Sequence, residues 1–379
     1  MKRNYQQCSR CVMDTTGDDM IKFDEQGICN YCKDYDVLKN KLVVEGELAK
    51  KLLEQKCNEI KSAGNGKQYD CILGLSGGVD SSYLAYVAKQ NGLRPLCIHF
   101  DNGWNSEMAV KNIENIVNKL SFDLNTYVIN WDEFRDLQRA YFKAGVIDIE
   151  ALTDHAIFAS IYNLAFKTGI KYLLSGSNVV TEGILPNHWT HKKSDYINIL
   201  DIHKKYGSLP LMTFPLIDKK TKDKIKKWGI DTVELLNIMP YDKAKAKQLL
   251  TEELGWQDYG GKHYESIFTK FYQAYVLPVK FEVDKRKAHL STLVCSEQIT
   301  KTEALFELEK PIYPPNELKQ EKAYVLKKLG FSEKEFDQMM KEKPVLHNAY
   351  SVEGSLFHYY PFLQPLRPLW LKFKKIRKT

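Results

Sequence analysis

Between Asp70 and Gln90 the chain reads D-C-I-L-G-L-S-G-G-V-D-S-S-Y-L-A-Y-V-A-K-Q. Cys71 to Leu75 is a short apolar run of the kind that forms a buried parallel strand, and Val79 to Lys89 carries apolar residues at helical spacing. Ser76-Gly77-Gly78 stands at the junction. Paired glycines at a strand-to-helix turn let the backbone come close to an anion, and the N–H groups of the first helical turn then face that anion with the positive end of the helix dipole behind them. The chemistry this suits is holding phosphate, with Leu75, Ser76, Gly77, Gly78, Asp80, Ser81 and Ser82 as candidates. Neither G-x-x-x-x-G-K-[ST] nor G-x-G-x-x-G is present. A plain helix start capped by Asp80 and Ser81 would account for the polar residues but gives no reason for two glycines.

Four of the eight cysteines form Cys8-x-x-Cys11 and Cys29-x-x-Cys32. Two thiolate pairs on tight knuckles can close a tetrahedral shell around one zinc ion and so order a segment with little core of its own. A pair of disulfides is the other reading of this spacing. The chain opens M-K-R-N-Y-Q-Q-C without an apolar leader, which argues against an oxidising compartment and for a cytoplasmic location. With all four ligands cysteine, no position is left for catalysis. Cys57, Cys71, Cys97 and Cys295 read as scattered single cysteines.

The elements that must position these groups follow an α/β alternation. A charged helical pattern from Val37 to Lys61 ends at Ser62-Ala63-Gly64-Asn65-Gly66. After the loop helix come a strand from Arg94 to Phe100, a helix from Asn105 to Leu120, a strand from Leu124 to Asn130, a helix from Trp131 to Phe142 and a helix from Thr153 to Thr168. Ile170 to Leu174 is the fourth strand, and it runs into Ser175-Gly176-Ser177-Asn178. This is the pattern of a doubly wound parallel sheet, in which ligands lie along the carboxyl edge of the strands. Gly176 and Asn178 are candidates because small residues leave room for phosphates. Glu182 is placed to hold magnesium, an ion that takes carboxylates together with substrate phosphates, or else is an ordinary surface carboxylate. Beyond Pro210 the alternation is expected to stop, with Asp231 to Met239 a short apolar helix.

Gly255 to Leu290 mixes charges of both signs with many aromatic residues and suits recognition of a polar, ringed, negatively charged ligand. Lys262 and His263 follow Gly260-Gly261. Arg286 and His289 fall at i and i+3 on one helical face. The arginine there could fork onto a phosphate or carboxylate.

The 379 residues carry a net charge of +7, with 44% hydrophobic and 27% charged residues, ordinary for a globular chain and modest for one that binds RNA. No run approaches the length of a membrane span. The expected division is a four-cysteine zinc-binding segment (1–45), a connecting helix and linker (46–66), a nucleotide domain (67–235) and a mainly helical C-terminal domain (236–379).

S-G-G-V-D-S-S resembles the PP-loop of the ATP pyrophosphatase superfamily, whose members split ATP between the α and β phosphates. That likeness implies an adenine and ribose site at the end of the second strand, formed by the backbone of His99 and Phe100 and the side chain of Asp101; Asp101 also reads simply as a turn former. Taken with the C-x-x-C pairs, S-G-S-N, G-G-K-H-Y-E-S-I-F-T and D-K-R-K-A-H-L-S, the whole chain resembles the N-acetyl sugar amidotransferase family, which makes acetamidino groups on bacterial surface sugars. The resemblance implies ATP and magnesium as cofactors beside the structural zinc, and a nucleotide-linked N-acetyl sugar as substrate. It also implies a partner glutaminase with a cyclase-like subunit that supplies ammonia, and a product destined for O-antigen, capsule or flagellar glycan. Asp80, Lys262, His263, Arg286 and His289 are then the expected catalytic residues. Lys262 or Arg286 would neutralise phosphate charge, and His263 or His289 would take a proton. No nucleophile turn surrounds any lone cysteine, so ammonia is expected from outside the chain.

Two rivals share some of these features. A tRNA thiolase or lysidine-type ligase would also carry a PP-loop, and sometimes C-x-x-C pairs, but a thiolase needs cysteines near the nucleotide. A non-catalytic adaptor could use the cysteine knuckle and the basic aromatic stretch from Phe357 to Lys378, yet would have no use for two small-residue turns.

Overall fold

The computed structural model describes residues 4–261, 264–354 and 366. Its centre is a five-stranded parallel sheet, β1 (Cys71–Gly74), β2 (Pro95–Asp101), β3 (Asp123–Val128), β4 (Tyr172–Leu174) and β5 (Asp231–Val233), in the order β3-β2-β1-β4-β5. In chain order the helices are α1 (Asn30–Leu42), α2 (Gly46–Ala63), α3 (Val79–Gln90), α4 (Glu107–Leu120), α5 (Trp131–Ala144), α6 (Ala151–Thr168), α7 (Val179–Glu182), α8 (Tyr196–Tyr206), α9 (Lys219–Trp228) and α10 (Lys243–Leu254). Then come α11 (Ile267–Phe271), α12 (Leu277–Phe281), α13 (Lys285–Cys295), α14 (Lys301–Glu309), α15 (Pro315–Leu329) and α16 (Glu333–Lys341).

Residues of β1 and β2 alternate between two cores, as the two-residue period of a strand requires. Cys71, Leu73 and Cys97 join one core with residues of α2, α3, α4 and α10, including Ile60, Leu84, Ile116 and Leu250. Ile72, Leu96 and Ile98 face the other, with Leu164, Ala165 and Ile170. Helices therefore cover both faces, and the chain is the doubly wound α/β type expected, with a mainly helical C-terminal part.

Two expectations are corrected. Asp231 to Met239 is not a helix: Asp231–Val233 is the fifth parallel strand and Leu235–Ile238 a 3₁₀ turn. The strand is three residues long at the sheet edge with two of them exposed, which leaves no alternation to read. The helix from Val37 to Lys61 is instead two helices, since Val43 to Glu45 is extended and the Val44 N–H bonds to the Asn237 carbonyl at 2.9 Å.

The described chain packs as two units. The first comprises the described parts of Met1–Ile129, Ser160–Pro186 and Asp223–Val325, and holds the whole sheet. The second comprises those of Asn130–Ala159, Asn187–Lys222 and Leu326–Thr379. In the second, buried carboxylates hold loop backbone beside the apolar core: Glu133 accepts the N–H groups of Thr213 and Phe214, and Asp136 those of Ser208 and Leu209. Two buried histidines are fixed as neutral rings. His155 donates from Nδ1 to the Lys193 carbonyl (2.8 Å) and accepts the Ile217 N–H at Nε2 (2.8 Å). His347 donates from Nδ1 to Asn198 (2.8 Å) and accepts the Asp148 N–H at Nε2 (3.2 Å). Burial pushes His155 down to about 4, and burial with the neighbouring His191 and Lys193 pushes His347 down to about 3. Because an unfolded histidine titrates near ~6.5, the unfolded chain binds more protons below that pH, and the stability these rings give is complete above it and lost as the pH falls. Thermal melts should therefore drop between pH 7 and pH 4. A double variant, His155→Gln with His347→Gln, should show a shallower pH slope; an unchanged slope would place the acid sensitivity elsewhere.

Candidate nucleotide and anion site

Strand β1 lies between β2 and β4, so the direction of winding switches at its carboxyl end. A crevice opens at such a point between the loops after neighbouring strands. Here those loops are Ser76-Gly77-Gly78 and Ser175-Gly176-Ser177-Asn178, and they touch. A Cβ on Gly176 would stand 3.0 Å from the Ser81 nitrogen, so the second loop lies tightly against the first helical turn and a side chain there would push the two apart by a few tenths of an ångström. Gly77 has φ +82°, and a Cβ there would stand 2.7 Å from the Ala109 carbonyl oxygen of α4. Both the turn and the close packing behind it require glycine. The Ser76 hydroxyl accepts the Gly78 N–H (3.2 Å), and the Ser81 hydroxyl bridges Ser76 (3.1 Å) and the Gly78 carbonyl (3.2 Å). Helix α3 starts at Val79 with its N-terminus at this corner.

The loop is braced from the far part of the chain. Buried Trp256 donates from Nε1 to the Gly77 carbonyl at 2.9 Å. Tyr241 donates to the Asp80 carboxylate, and Asn178 Nδ2 reaches the same oxygen at 3.4 Å. Burial and the nearby Asp80 charge raise the Tyr241 pKa far above the ordinary tyrosine range, so it stays a donor. Burial and Glu265 do the same for Tyr259, whose hydroxyl stands over Gly78. Sequence reasoning singles out none of these three aromatic residues. The tract that holds Trp256 and Tyr259 reads as ligand-recognising, whereas Trp256, like Tyr241, faces the loop.

A cavity of about 670 Å³ opens from the corner, entirely within the first unit. One wall is Ser76, Gly78, Asp80 and Ser81 with Gly176 and Glu182; the other comes from α10, residues 258–261 and 264–274, α13 and residues 307–317. Of the expected site residues, Ser76, Gly78, Asp80, Ser81, Gly176, Glu182, Arg286 and His289 line it. Leu75 and Ser82 are buried beside the loop. Asn178 caps α7, accepting the Thr181 N–H at 2.9 Å.

At the end of β2, both ring nitrogens of His99 are engaged, by the Leu75 carbonyl (3.2 Å) and Asn105 (3.1 Å), and burial lowers its pKa. The Phe100 ring stacks on Tyr127. Asp101 accepts the Gly103 N–H at 2.8 Å, the turn-forming role. These three side chains are not in the cavity wall. Lys262 and His263 lie outside the described residues, as does the stretch from Phe357 to Lys378 apart from Leu366.

Four of the cations that line the cavity are paired with carboxylates. Arg286 is held by Asp284 (2.9 Å) and donates to the Lys310 carbonyl (2.8 Å), Lys247 pairs with Asp258 (2.5 Å) and Lys310 with Glu307 (2.5 Å). Lys270 sits between Glu317 (2.7 Å) and Glu321 (2.9 Å); burial works against its charge, yet the two carboxylates raise its pKa. The acidic side holds Asp80 and Glu182, donors suited to magnesium beside phosphate. Behind Glu182, Glu234 is raised by burial and by the Glu182 charge.

In the N-terminal segment, the Cys8, Cys11, Cys29 and Cys32 sulfurs are all buried and lie within 4.8 Å of one another. Their contacts are 3.8 Å (Cys8–Cys32), 3.7 Å (Cys11–Cys29) and 3.7 Å (Cys29–Cys32). A tetrahedral ion with metal–sulfur bonds of about 2.3 Å puts its sulfurs about 3.8 Å apart. The set thus fits one tetrahedral metal. Hydrogen bonds among the four thiols lower Cys8 and Cys11 and raise Cys29 and Cys32, as close packing of like groups in one shell requires.

A parallel sheet with a glycine turn at its switch point defines a doubly wound α/β fold of the kind that takes ligands along that edge. Residues 265–364 match the family described as LPS biosynthesis protein WbpG-like, C-terminal domain, which agrees with the kinship to surface-polysaccharide proteins read from the sequence. No curated protein matches the chain. Among solved structures, an NH3-dependent NAD synthetase from Campylobacter jejuni is similar at 15% identity and a TM-score of 0.29, covering 56% of this chain and 99% of that one. An NMN synthetase from Francisella tularensis is similar at 15% identity and 0.29, covering 59% and 92%. The fold rests on the strand order and the corner, not on these two likenesses. Among the described residues, no helix is long and apolar enough to cross a membrane.

Gly77→Ala should cost about 2 kcal/mol in a denaturant melt, the strain of a side chain at positive φ. Tyr241→Phe should leave stability within about 1.5 kcal/mol, the worth of one hydrogen bond. The same change should lower magnesium-dependent nucleotide binding; unchanged magnesium dependence would show that Asp80 needs no anchor.

Proposed function

We propose that the chain is an ATP-dependent, AMP-forming C–N ligase that converts the acetamido group of a nucleotide-linked sugar to an acetamidino group, for a bacterial surface polysaccharide. One observation carries this reading: the phosphate corner opens into the same cavity as the segment that matches the LPS-biosynthesis family.

An amide oxygen is a poor leaving group, so ammonia cannot displace it directly. In the proposed sequence that oxygen attacks the α phosphorus, the bond to the bridging oxygen breaks and pyrophosphate leaves. The resulting O-adenylyl imidate adds ammonia at carbon, expels AMP and, after loss of a proton, leaves the amidine. The Ser76 hydroxyl, the amides from Gly77 to Ser81 and the α3 N-terminus would hold the pyrophosphate by charge stabilisation. Asp80 and Glu182 would hold magnesium, which supplies neutralisation of phosphate charge when bound. His289 faces the cavity as a proton acceptor and Arg286 supplies positive charge, with its fork already committed to Asp284. Lys262 and His263 keep the roles the resemblance implies. The cysteine cluster would hold zinc structurally, and ammonia would come from a partner glutaminase with a cyclase-like subunit. The division at 45, 66 and 235 stands as a functional proposal, with residues after 236 closing the cavity. A cytoplasmic location follows from a nucleotide-sugar substrate.

Incubation with magnesium ATP, an ammonium salt and a panel of nucleotide-linked diacetamido sugars should give AMP and a product in which NH replaces oxygen, read by mass spectrometry. Asp80→Ala should lower AMP formation by about 100-fold or more at unchanged zinc content. Release of ADP and orthophosphate, or AMP formation that survives the replacement, would overturn the reading.

A further inference from the structure

Helix α13 has two working faces. Arg286, His289 and Leu293 line the cavity, while Lys287, Ser291 and Cys295, four residues apart, form a separate stripe. Every member of that stripe is bonded to the cysteine segment. Lys287 reaches Asp14 (2.6 Å) and Thr16 (2.5 Å). The Ser291 hydroxyl accepts the Val12 N–H at 3.2 Å. The Cys295 thiol lies 3.5 Å from the Cys32 sulfur, and Arg10 donates to the Cys295 carbonyl. Beyond the helix, Lys301 donates to the Cys8 carbonyl at 2.6 Å.

The same segment also holds the approach to Glu182. The ring of Tyr35, on α1, fits against Gly183, where a Cβ would stand 2.8 Å away. Thr292 of α13 accepts the Ile184 N–H at 3.0 Å. At the other end, Gly17 is pressed so close to Glu282 that a Cβ would meet its carbonyl oxygen at 2.0 Å. Both cavity walls near the anion site therefore rest on the metal segment, and neither carries a ligand to the metal.

We infer that the cysteine cluster is a clamp on α13: metal occupancy sets the position of the cavity's Arg286–His289 face, and Cys295 is a positioning residue that steadies the ligand sulfur of Cys32. Four sulfurs already complete a tetrahedron, so Cys295 acts as a hydrogen-bond donor to the shell and not as a fifth ligand. Because binding couplings are reciprocal, an anion held in the cavity would tighten metal binding by the factor by which the metal tightens the anion. That last consequence rests on the proposed function; the mechanical link between cluster and helix does not.

The test needs no turnover. Metal is removed from the full chain with a chelator, and amide hydrogen exchange is compared at 285–295, at 71–74 and at 243–254. Protection at 285–295 should fall by about 10-fold or more while the other two segments keep theirs, since local opening need not cross the whole core. Retained protection at 285–295 in metal-free protein would overturn the inference, whether or not the chain makes AMP. Should chelation unfold the chain as a whole, the double variant Ser291→Ala with Cys295→Ala decides. It should bind one metal per chain yet release it to the chelator about 10-fold faster, the scale at which groups that orient metal ligands act. UDP-N-acetylglucosamine, as a probe, should bind it several-fold more weakly. An unchanged release rate would overturn the proposal, and a raised release rate with unchanged probe binding would confine it to the metal side.

Discussion

The backbone turn at Gly77 is the constraint on which the rest of the first unit depends. A positive φ at that residue lets β1 end and α3 begin without a wider loop, and places the Gly77 carbonyl where Trp256 can take it. Helix α4 packs directly behind, with the Ala109 carbonyl as close as a glycine permits. Once the turn is fixed, the N-terminus of α3 faces the crevice, Asp80 comes within reach of Tyr241 and Asn178, and the β4 loop can lie on Ser81. The corner is thus held from behind by α4 and in front by residues about 160 to 180 positions later in the chain, a span that joins the sheet to the C-terminal part of the same unit.

The charges around this corner are arranged as pairs and not as a bare basic patch. Lys247, Lys270, Arg286 and Lys310 each face a carboxylate. An anion entering such a wall has to exchange with those carboxylates, so most of the gain from an extra phosphate contact is offset by a broken pair. Discrimination among anions at such a wall would come from geometry more than from net charge.

Much of this was legible in the sequence, for reasons that differ by residue. The corner could be read because the need for two glycines is local, and the cysteine cluster because C-x-x-C fixes its own geometry. Strands β1, β2 and β4 carried enough buried apolar residues to show themselves, whereas β5, three residues long with Asp231 and Thr232 exposed, did not. The side chain of Asp101 read as ligand-facing because of where the strand ends; the structure turns it to Gly103 and Asn105, a matter of tertiary orientation that spacing does not encode. Trp256 and Tyr241 were illegible as loop supports for the same reason, since their partners lie far upstream.

Asn237, in the 3₁₀ turn after β5, joins three parts of the molecule. Its backbone carbonyl takes Val44 between α1 and α2, its side-chain oxygen takes Val179 at the start of α7 (2.9 Å), and its amide gives to Glu234 (2.8 Å). The N-terminal segment through α1 is consequently no detachable module: trimming it to obtain a smaller sheet-bearing fragment would leave an orphaned carbonyl beside the β4 loop and a bare flank where Tyr35 now covers Gly183.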